Sequence, residues 1–156
     1  RDEGRVRFLG ILLGLQPQNT DEVVGLFHAS PRDPVWEYVL SALQAEICLD
    51  EQEHRISIVG HSHVALAFSR VEGEPATGDT RPGGTELDIS TGEWILNPGS
   101  VGQPRDGDPR AAWLLLDTEN WTASWNRTEY DVSGASAAIR SAGLPESLAE
   151  RLSYGE

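Results

Sequence analysis

The fold expected for this chain is set by the stretch Ile56-Ser57-Ile58-Val59-Gly60-His61-Ser62-His63. Its first four residues are typical of a short buried strand, which Gly60 ends. His61 and His63 therefore stand where a sheet passes into loops, the place at which sites in α/β sheets converge. Because residues two apart in extended backbone point to the same side, both imidazoles are expected to enter one cavity. A metal ion between them is one interpretation, and a pair of hydrogen-bonded or surface histidines is the other.

Further strands are predicted on both sides of this stretch, so the chain is expected to fold as a strand-rich α/β or α+β body. A turn at residues 16–20 separates the first two strands, and the last two form a hairpin. The predicted strands cover residues 6–15, 23–27, 56–60, 64–71, 94–96, 111–116 and 121–130. The glycine- and proline-rich stretch at residues 73–84 is predicted to be a mobile loop.

Helices are predicted in two regions of the sequence. Asp33 and Pro34 have the residue types of an N-cap and a first helical position. Apolar residues then recur at spacing four, which predicts a helix over residues 34–47 that covers the sheet; they are Val35, Val39, Leu43 and Ile47, with Trp36 and Leu40 alongside. The tail at residues 133–154 is predicted to form two short helices separated by Gly143 and Pro145.

Composition limits the classes of function. The chain has 156 residues, the size of one ordinary domain, and carries 25 acids against 12 bases, for a formal net charge of −13. Because all the bases are scattered arginines, nucleic acid and anionic membranes are not expected partners. The single cysteine, Cys48, excludes an internal disulfide framework and a thiolate zinc cluster, so a cytoplasmic location is expected.

The first residues of the chain lead to a further expectation. The sequence begins at Arg1, contains no methionine and shows neither a leader peptide nor an apolar run long enough to span a membrane. We therefore expect residues 1–156 to be the C-terminal part of a single longer domain.

Other chemically active side chains have both functional and ordinary interpretations. His28 follows a predicted strand and is a candidate metal ligand, whereas His54 is expected on the solvated surface and Cys48 in the core. Arg32 and Arg105 are candidate phosphate-binding residues. A surface ion pair for Arg32, and a tight proline-stiffened connection for the loop that carries Arg105, are the alternatives.

Three motifs in a fixed order resemble the calcineurin-like metallophosphoesterases, in particular their small bacterial branch. They are residues 28–34 (His-Ala-Ser-Pro-Arg-Asp-Pro), residues 60–63 (Gly-His-Ser-His) and residues 97–107 (Asn-Pro-Gly-Ser-Val-Gly-Gln-Pro-Arg-Asp-Gly). The resemblance implies a portion of a two-sheet αββα sandwich. It also implies phosphodiester or phosphomonoester hydrolysis at a dinuclear metal centre with a bridging hydroxide.

The resemblance also assigns site residues. His28 and His61 would bind one metal and His63 the second, while Ala29 replaces the usual glycine. Manganese is the expected metal, with iron, zinc or nickel as alternatives, and the substrate is a small phosphate ester. The family's Asp-x-His pair, bridging aspartate and leaving-group histidine have no counterpart before His28. No catalytic residue is therefore assigned, and the chain alone is expected to bind metal weakly and to be inactive.

Two other functions stay open at this stage. A phosphoesterase-like scaffold without catalysis would bind a protein partner and be indifferent to metal. A single zinc ion held by His28, His61 and His63 is a further alternative, which requires all three rings around one ion. An exposed sheet edge would also favour self-association into a homo-oligomer.

Overall fold

The computed structural model describes residues 18–20 and 23–156, which form two sheets and few helices. The larger sheet has six strands in the order β1-β2-β3-β7-β4-β5. These strands are β1 (Gln18–Thr20), β2 (Val24–Phe27), β3 (Ile56–Ile58), β4 (Ala65–Arg70), β5 (Thr77–Thr80) and β7 (Glu93–Pro98). β2, β3 and β7 are parallel, with Leu26 opposite Ile58 and Ile58 opposite Leu96. The carboxyl ends of these three strands therefore reach the same edge of the sheet.

The smaller sheet has three antiparallel strands in the order β6-β9-β8. They are β6 (Glu86–Asp88), β8 (Ala111–Asp117) and β9 (Thr122–Thr128). The predicted hairpin is confirmed, since β8 pairs with β9 from Ala111 opposite Thr128 to Asp117 opposite Thr122.

The core has two layers, one on each face of the larger sheet. Along β4, Leu66 and Phe68 pack toward the first helix, whereas Ala65 and Ala67 pack toward the smaller sheet. This alternation is the period-two pattern of a strand that is buried on both faces. The expected α/β class with two packed sheets is confirmed.

The helices are α1 (Ala42–Glu51), α2 (Val132–Ser141) and α3 (Glu146–Glu150), and a 3₁₀ turn at Arg151–Ser153 follows. The prediction of two short helices in the tail is confirmed. Within the described residues no helix has the length and apolar character that a membrane span requires.

The prediction of a helix over residues 34–47 is wrong in its start and in its buried face. The Asp33 carboxylate does accept from the backbone N–H groups of Val35 and Trp36, but only one turn follows before the chain becomes non-helical. The helix begins after Ser41, whose side chain accepts from the N–H of Gln44. Much of the apolar set faces solvent: Trp36 is 74% exposed and Leu43 is 72% exposed.

Two other predictions change at the level of single elements. Gln18–Thr20, placed by the sequence in a turn, forms β1 against β2. Thr77–Thr80, placed in a mobile loop, forms β5 against β4. The strand predicted over residues 6–15 lies outside the described residues.

Candidate functional site

His28 and His61 meet at the carboxyl edge of the larger sheet. β2 and β3 are parallel neighbours, so the residues that follow them emerge side by side. The N–H of Gly60 donates to the carbonyl of His28 at 3.1 Å, and a Cβ at Gly60 would lie 3.2 Å from that oxygen. Because Gly60 has no side chain, its backbone can approach the backbone of His28 this closely. Nε2 of His28 lies 3.0 Å from Nδ1 of His61, and the two nitrogens share a hydrogen bond.

The ring of His61 is held on two further sides. Tyr38 stacks on it with ring centroids 4.1 Å apart, and the backbone carbonyl of Trp36 accepts a hydrogen bond from it. Burial lowers the pKa of His61, and electrostatic interaction with His28, His63 and Arg105 lowers it further. The neutral imidazole, the form that ligates a metal, is therefore favoured at pH 7.

His63 is anchored by the loop that follows β7. Its Nδ1 lies 2.8 Å from the carbonyl oxygen of Gln103, and its own carbonyl accepts from the N–H of Arg105 at 3.1 Å. A histidine that donates Nδ1–H to a carbonyl keeps the lone pair on Nε2, which is the usual arrangement of a ligating imidazole. The protein therefore orients His63 so that Nε2 can bind a metal ion.

The backbone at the two histidines differs from the prediction. His61 has a φ of 60° and His63 a φ of 62°, so both lie in the left-handed region and not in extended backbone. The N–H of Ser62 donates to the carbonyl of Gly60 at 2.6 Å, and this hydrogen bond closes a tight turn around His61. Non-glycine residues adopt this conformation at a cost and mostly at functional sites.

A buried asparagine, which the sequence placed in a candidate phosphate loop, braces this turn. Asn97 is 1% exposed, and its Nδ2 donates to the carbonyl of Gly60 and to the hydroxyl of Ser62, each at 2.9 Å. Its Oδ1 accepts from the N–H of Gly99 at 2.9 Å. Because all these partners are internal, Asn97 positions the histidine turn and is not free to bind a ligand. In the sequence, the only signal for this bracing role is an asparagine directly after the strand predicted at residues 94–96.

Arg32 and Arg105 lie in different settings. The Arg32 guanidinium forms an ion pair with Glu37, whose carboxylate also accepts from the hydroxyl of Ser30 at 2.5 Å and from the thiol of Cys48 at 3.4 Å. The alternative predicted for Arg32, an ion pair, is therefore present in the structure. Arg105 is exposed, and its guanidinium contacts the side-chain oxygen of Gln103 at 3.3 Å.

The three candidate ligands do not form one cluster. Among residues 18–20 and 23–156 no group of three or more His, Cys, Asp or Glu side chains is arranged to hold a metal ion. His28 and His61 are paired, and His63 is separate but near enough to influence the pKa of His61. The alternative of a single zinc ion bound by all three rings is therefore not formed.

A solved structure with this fold identifies the relationship. The chain aligns with the crystal structure of a metallophosphoesterase from Sphaerobacter thermophilus with a TM-score of 0.88 and 38% sequence identity. The alignment covers 95% of this chain and 62% of that one. This similarity in sequence and fold supports the calcineurin-like metallophosphoesterase superfamily. The resemblance of the three motifs is thereby confirmed.

Two further proteins are similar to this chain in sequence or in fold. An uncharacterised protein of Methanocaldococcus jannaschii, MJ0912, is 34% identical over 129 residues, which are 82% of this chain and 50% of that protein. The hypothetical protein PH1004 of Pyrococcus horikoshii OT3 aligns with a TM-score of 0.69 and 19% identity, over 94% of this chain and 54% of that one, and shows the fold alone. No protein-family model matches the chain.

The chain thus spans about half to three-fifths of the length of these three proteins. Within the part it shares with them, Ala29 is 1% exposed and does not have a positive φ. The alanine at this position of the superfamily motif is therefore accommodated without backbone strain.

Proposed function

We propose that this chain supplies the histidine part of a metallophosphoesterase centre that hydrolyses phosphodiesters or phosphomonoesters. The observation that carries the proposal is the 3.0 Å approach of His28 Nε2 to His61 Nδ1 at the carboxyl edge of the parallel strands. Two nitrogens that each lie about 2.1 Å from one ion are about 3.0 to 3.4 Å apart at ordinary ligand angles. The observed spacing fits adjacent ligands of a single ion.

The proposed ligand roles follow from this geometry. His28 and His61 would hold one divalent ion, and His63, oriented through the Gln103 carbonyl, would offer Nε2 to a second. Manganese is the metal we propose, with iron, zinc or nickel as alternatives that imidazole also accepts. Such ions, when bound, polarise a phosphoryl oxygen and activate a water molecule for attack on phosphorus. The remaining ligands and the group that protonates the leaving alcohol are not assigned to described residues.

The arginines have unequal roles in the proposal. Arg105 is exposed beside the histidines and has no ion pair within the described part of the chain, so it is free to bind a phosphate oxygen. Arg32 would have to leave Glu37 in order to do the same. We propose a small phosphate ester as substrate, without nucleic acid, and a cytoplasmic setting in which Cys48 stays reduced.

Hydrolysis of bis(4-nitrophenyl) phosphate by the protein as its native cell makes it tests this function. Activity should require added Mn²⁺, disappear with a chelator and be lost in His61→Ala. His54→Ala is the matched control, because His54 precedes β3 whereas His61 follows it. Activity that survives in His61→Ala contradicts the proposal.

A non-catalytic scaffold is the second candidate. It is favoured by apolar side chains that face solvent in the segment before and at the start of α1: Trp36 is 74% exposed, Leu43 is 72% exposed and Leu40 is 51% exposed. Burying such groups against a partner, or against a second copy in a homo-oligomer, would be favourable. For this candidate the complex with the partner must form without the histidine site, and the protein must bind no metal. Stoichiometric metal in the purified protein contradicts it, and sizing in solution tests the oligomer.

A further inference from the structure

A cavity of about 440 Å³ lies directly beside His63. Val64, the next residue in the chain, forms part of its wall, and so does Arg105, whose N–H donates to the carbonyl of His63. Arg81, which directly follows β5, also lines the cavity. The cavity is therefore placed to receive the part of a substrate that extends away from the histidines.

The cavity carries positive charge in a strongly acidic chain. Of its five charged residues, Arg127 forms a buried ion pair with Asp106, and the two side chains are 5% and 10% exposed. Asp108 is engaged by Arg110 at 2.6 Å. These contacts neutralise both carboxylates. Arg81 and Arg105 also line the cavity and form no ion pair within residues 18–20 and 23–156, so no carboxylate compensates their charges there.

One residue that lines the cavity, Asp106, has a buried acceptor without a partner. Oδ2 of Asp106 accepts from Arg127 and from the N–H of Ala65, but Oδ1 is buried and has no hydrogen-bond partner. Nε of Arg81 is likewise buried and unpaired. Native proteins rarely leave such atoms unsatisfied, because each costs free energy unless water or a ligand pairs with it. Two residues that line the cavity thus carry an unpaired acceptor and an unpaired donor.

We infer that this cavity is a substrate subsite for a polyol phosphate that carries a second anionic group. The Arg81 guanidinium, with Arg105 at the border toward the histidines, binds the second phosphate or carboxylate. A neighbouring hydroxyl of the substrate donates to Oδ1 of Asp106. The inference rests on the proposed function, since the reacting phosphoryl group would occupy the metal centre while the cavity holds the distal part.

Binding to the metal-free chain tests the subsite without any requirement for catalysis. The probe is fructose 1,6-bisphosphate, titrated calorimetrically in the presence of a chelator, and 1,6-hexanediol bisphosphate is the matched ligand without hydroxyls. We expect Arg81→Gln to weaken binding of fructose 1,6-bisphosphate by about tenfold. Arg140→Gln removes the same charge from a surface ion pair on α2, away from the cavity, and should leave binding unchanged.

Two results would overturn the inference. One is equal affinity of wild type and Arg81→Gln for fructose 1,6-bisphosphate, and the other is equal affinity of the chain for the two bisphosphates. Neither result depends on hydrolysis of bis(4-nitrophenyl) phosphate. Loss of the subsite and loss of the proposed function are therefore separate outcomes.

Discussion

Nε2 of His28 and Nδ1 of His61 lie 3.0 Å apart, although 33 positions separate the residues in the chain. The parallel pairing of β2 with β3 places Leu26 opposite Ile58, so the residues that follow the two strands leave the sheet together. Two imidazoles this close repel each other when both are protonated, and burial of His61 adds to the cost. The fold therefore favours the neutral ring of His61 beside His28, and the neutral imidazole is the form that binds a metal ion.

Asn97→Ala should destabilise the protein by about 1–3 kcal/mol, because the Gly60 carbonyl and the Ser62 hydroxyl lose their buried donor. Urea unfolding followed by circular dichroism measures the change. The control is Asn126→Ala, which removes a single hydrogen bond to the carbonyl of Ser124 on a half-buried side chain and should cost less. Equal losses in the two variants would contradict the bracing role of Asn97.

Asp108 should contribute stability that is lost in acid. Its hydrogen bonds to Arg110 lower its pKa to about 2 from the ordinary value of 3.8. Because the native pKa is the lower one, the contribution is complete above pH 4 and disappears as the pH falls through 2. Asp108→Asn should therefore cost at most about 2 kcal/mol at pH 7 and about half as much at pH 3. Urea unfolding at the two pH values measures this difference, and a pH-independent difference would contradict it.

The strands were predictable wherever burial produces a periodic pattern. The hairpin of β8 and β9 and the buried strands β3, β4 and β7 follow from apolar and period-two patterns. The short strands β1 and β5 were not predicted. β5 is exposed along its whole length, so its sequence carries no apolar signal.

The start of the first helix was not predictable, because a capping signal is local. Asp33 caps one turn, but the carboxylate of Glu37 is then held by Arg32, Ser30 and Cys48, and the chain leaves the helical path. Ser41 supplies the second cap, from which the helix runs. A side-chain network of this kind has no periodicity in the sequence.

The candidate site was predictable in its position and not in its backbone. The sequence predicts that His28, His61 and His63 lie at one edge of the sheet. For His28 and His61 the structure confirms this position, because their ring nitrogens are 3.0 Å apart. The left-handed turn at the His61 and His63 positions depends on hydrogen bonds from Asn97, 36 and 34 positions away in the chain. Long-range side-chain bonds of this type leave no local signature.

Cys48 should be unreactive in the folded protein. The side chain is 0% exposed, and burial together with the neighbouring Glu37 carboxylate raises its pKa to about 12. Since the thiolate is the reactive form, 5,5′-dithiobis(2-nitrobenzoate) at pH 8 should label no thiol in the native chain and one in guanidinium chloride. Rapid labelling of the native chain would show that the Glu37 network opens readily.

Binding of divalent metal by His28, His61 and His63 would be seen directly in the ring resonances of the histidines. Zn²⁺ would be titrated into the metal-free protein while the ring ¹⁵N signals of all four histidines are recorded. We expect the signals of His28, His61 and His63 to move while that of His54 stays in place. A titration in which His28 and His61 do not respond, or in which His54 responds equally, would contradict it.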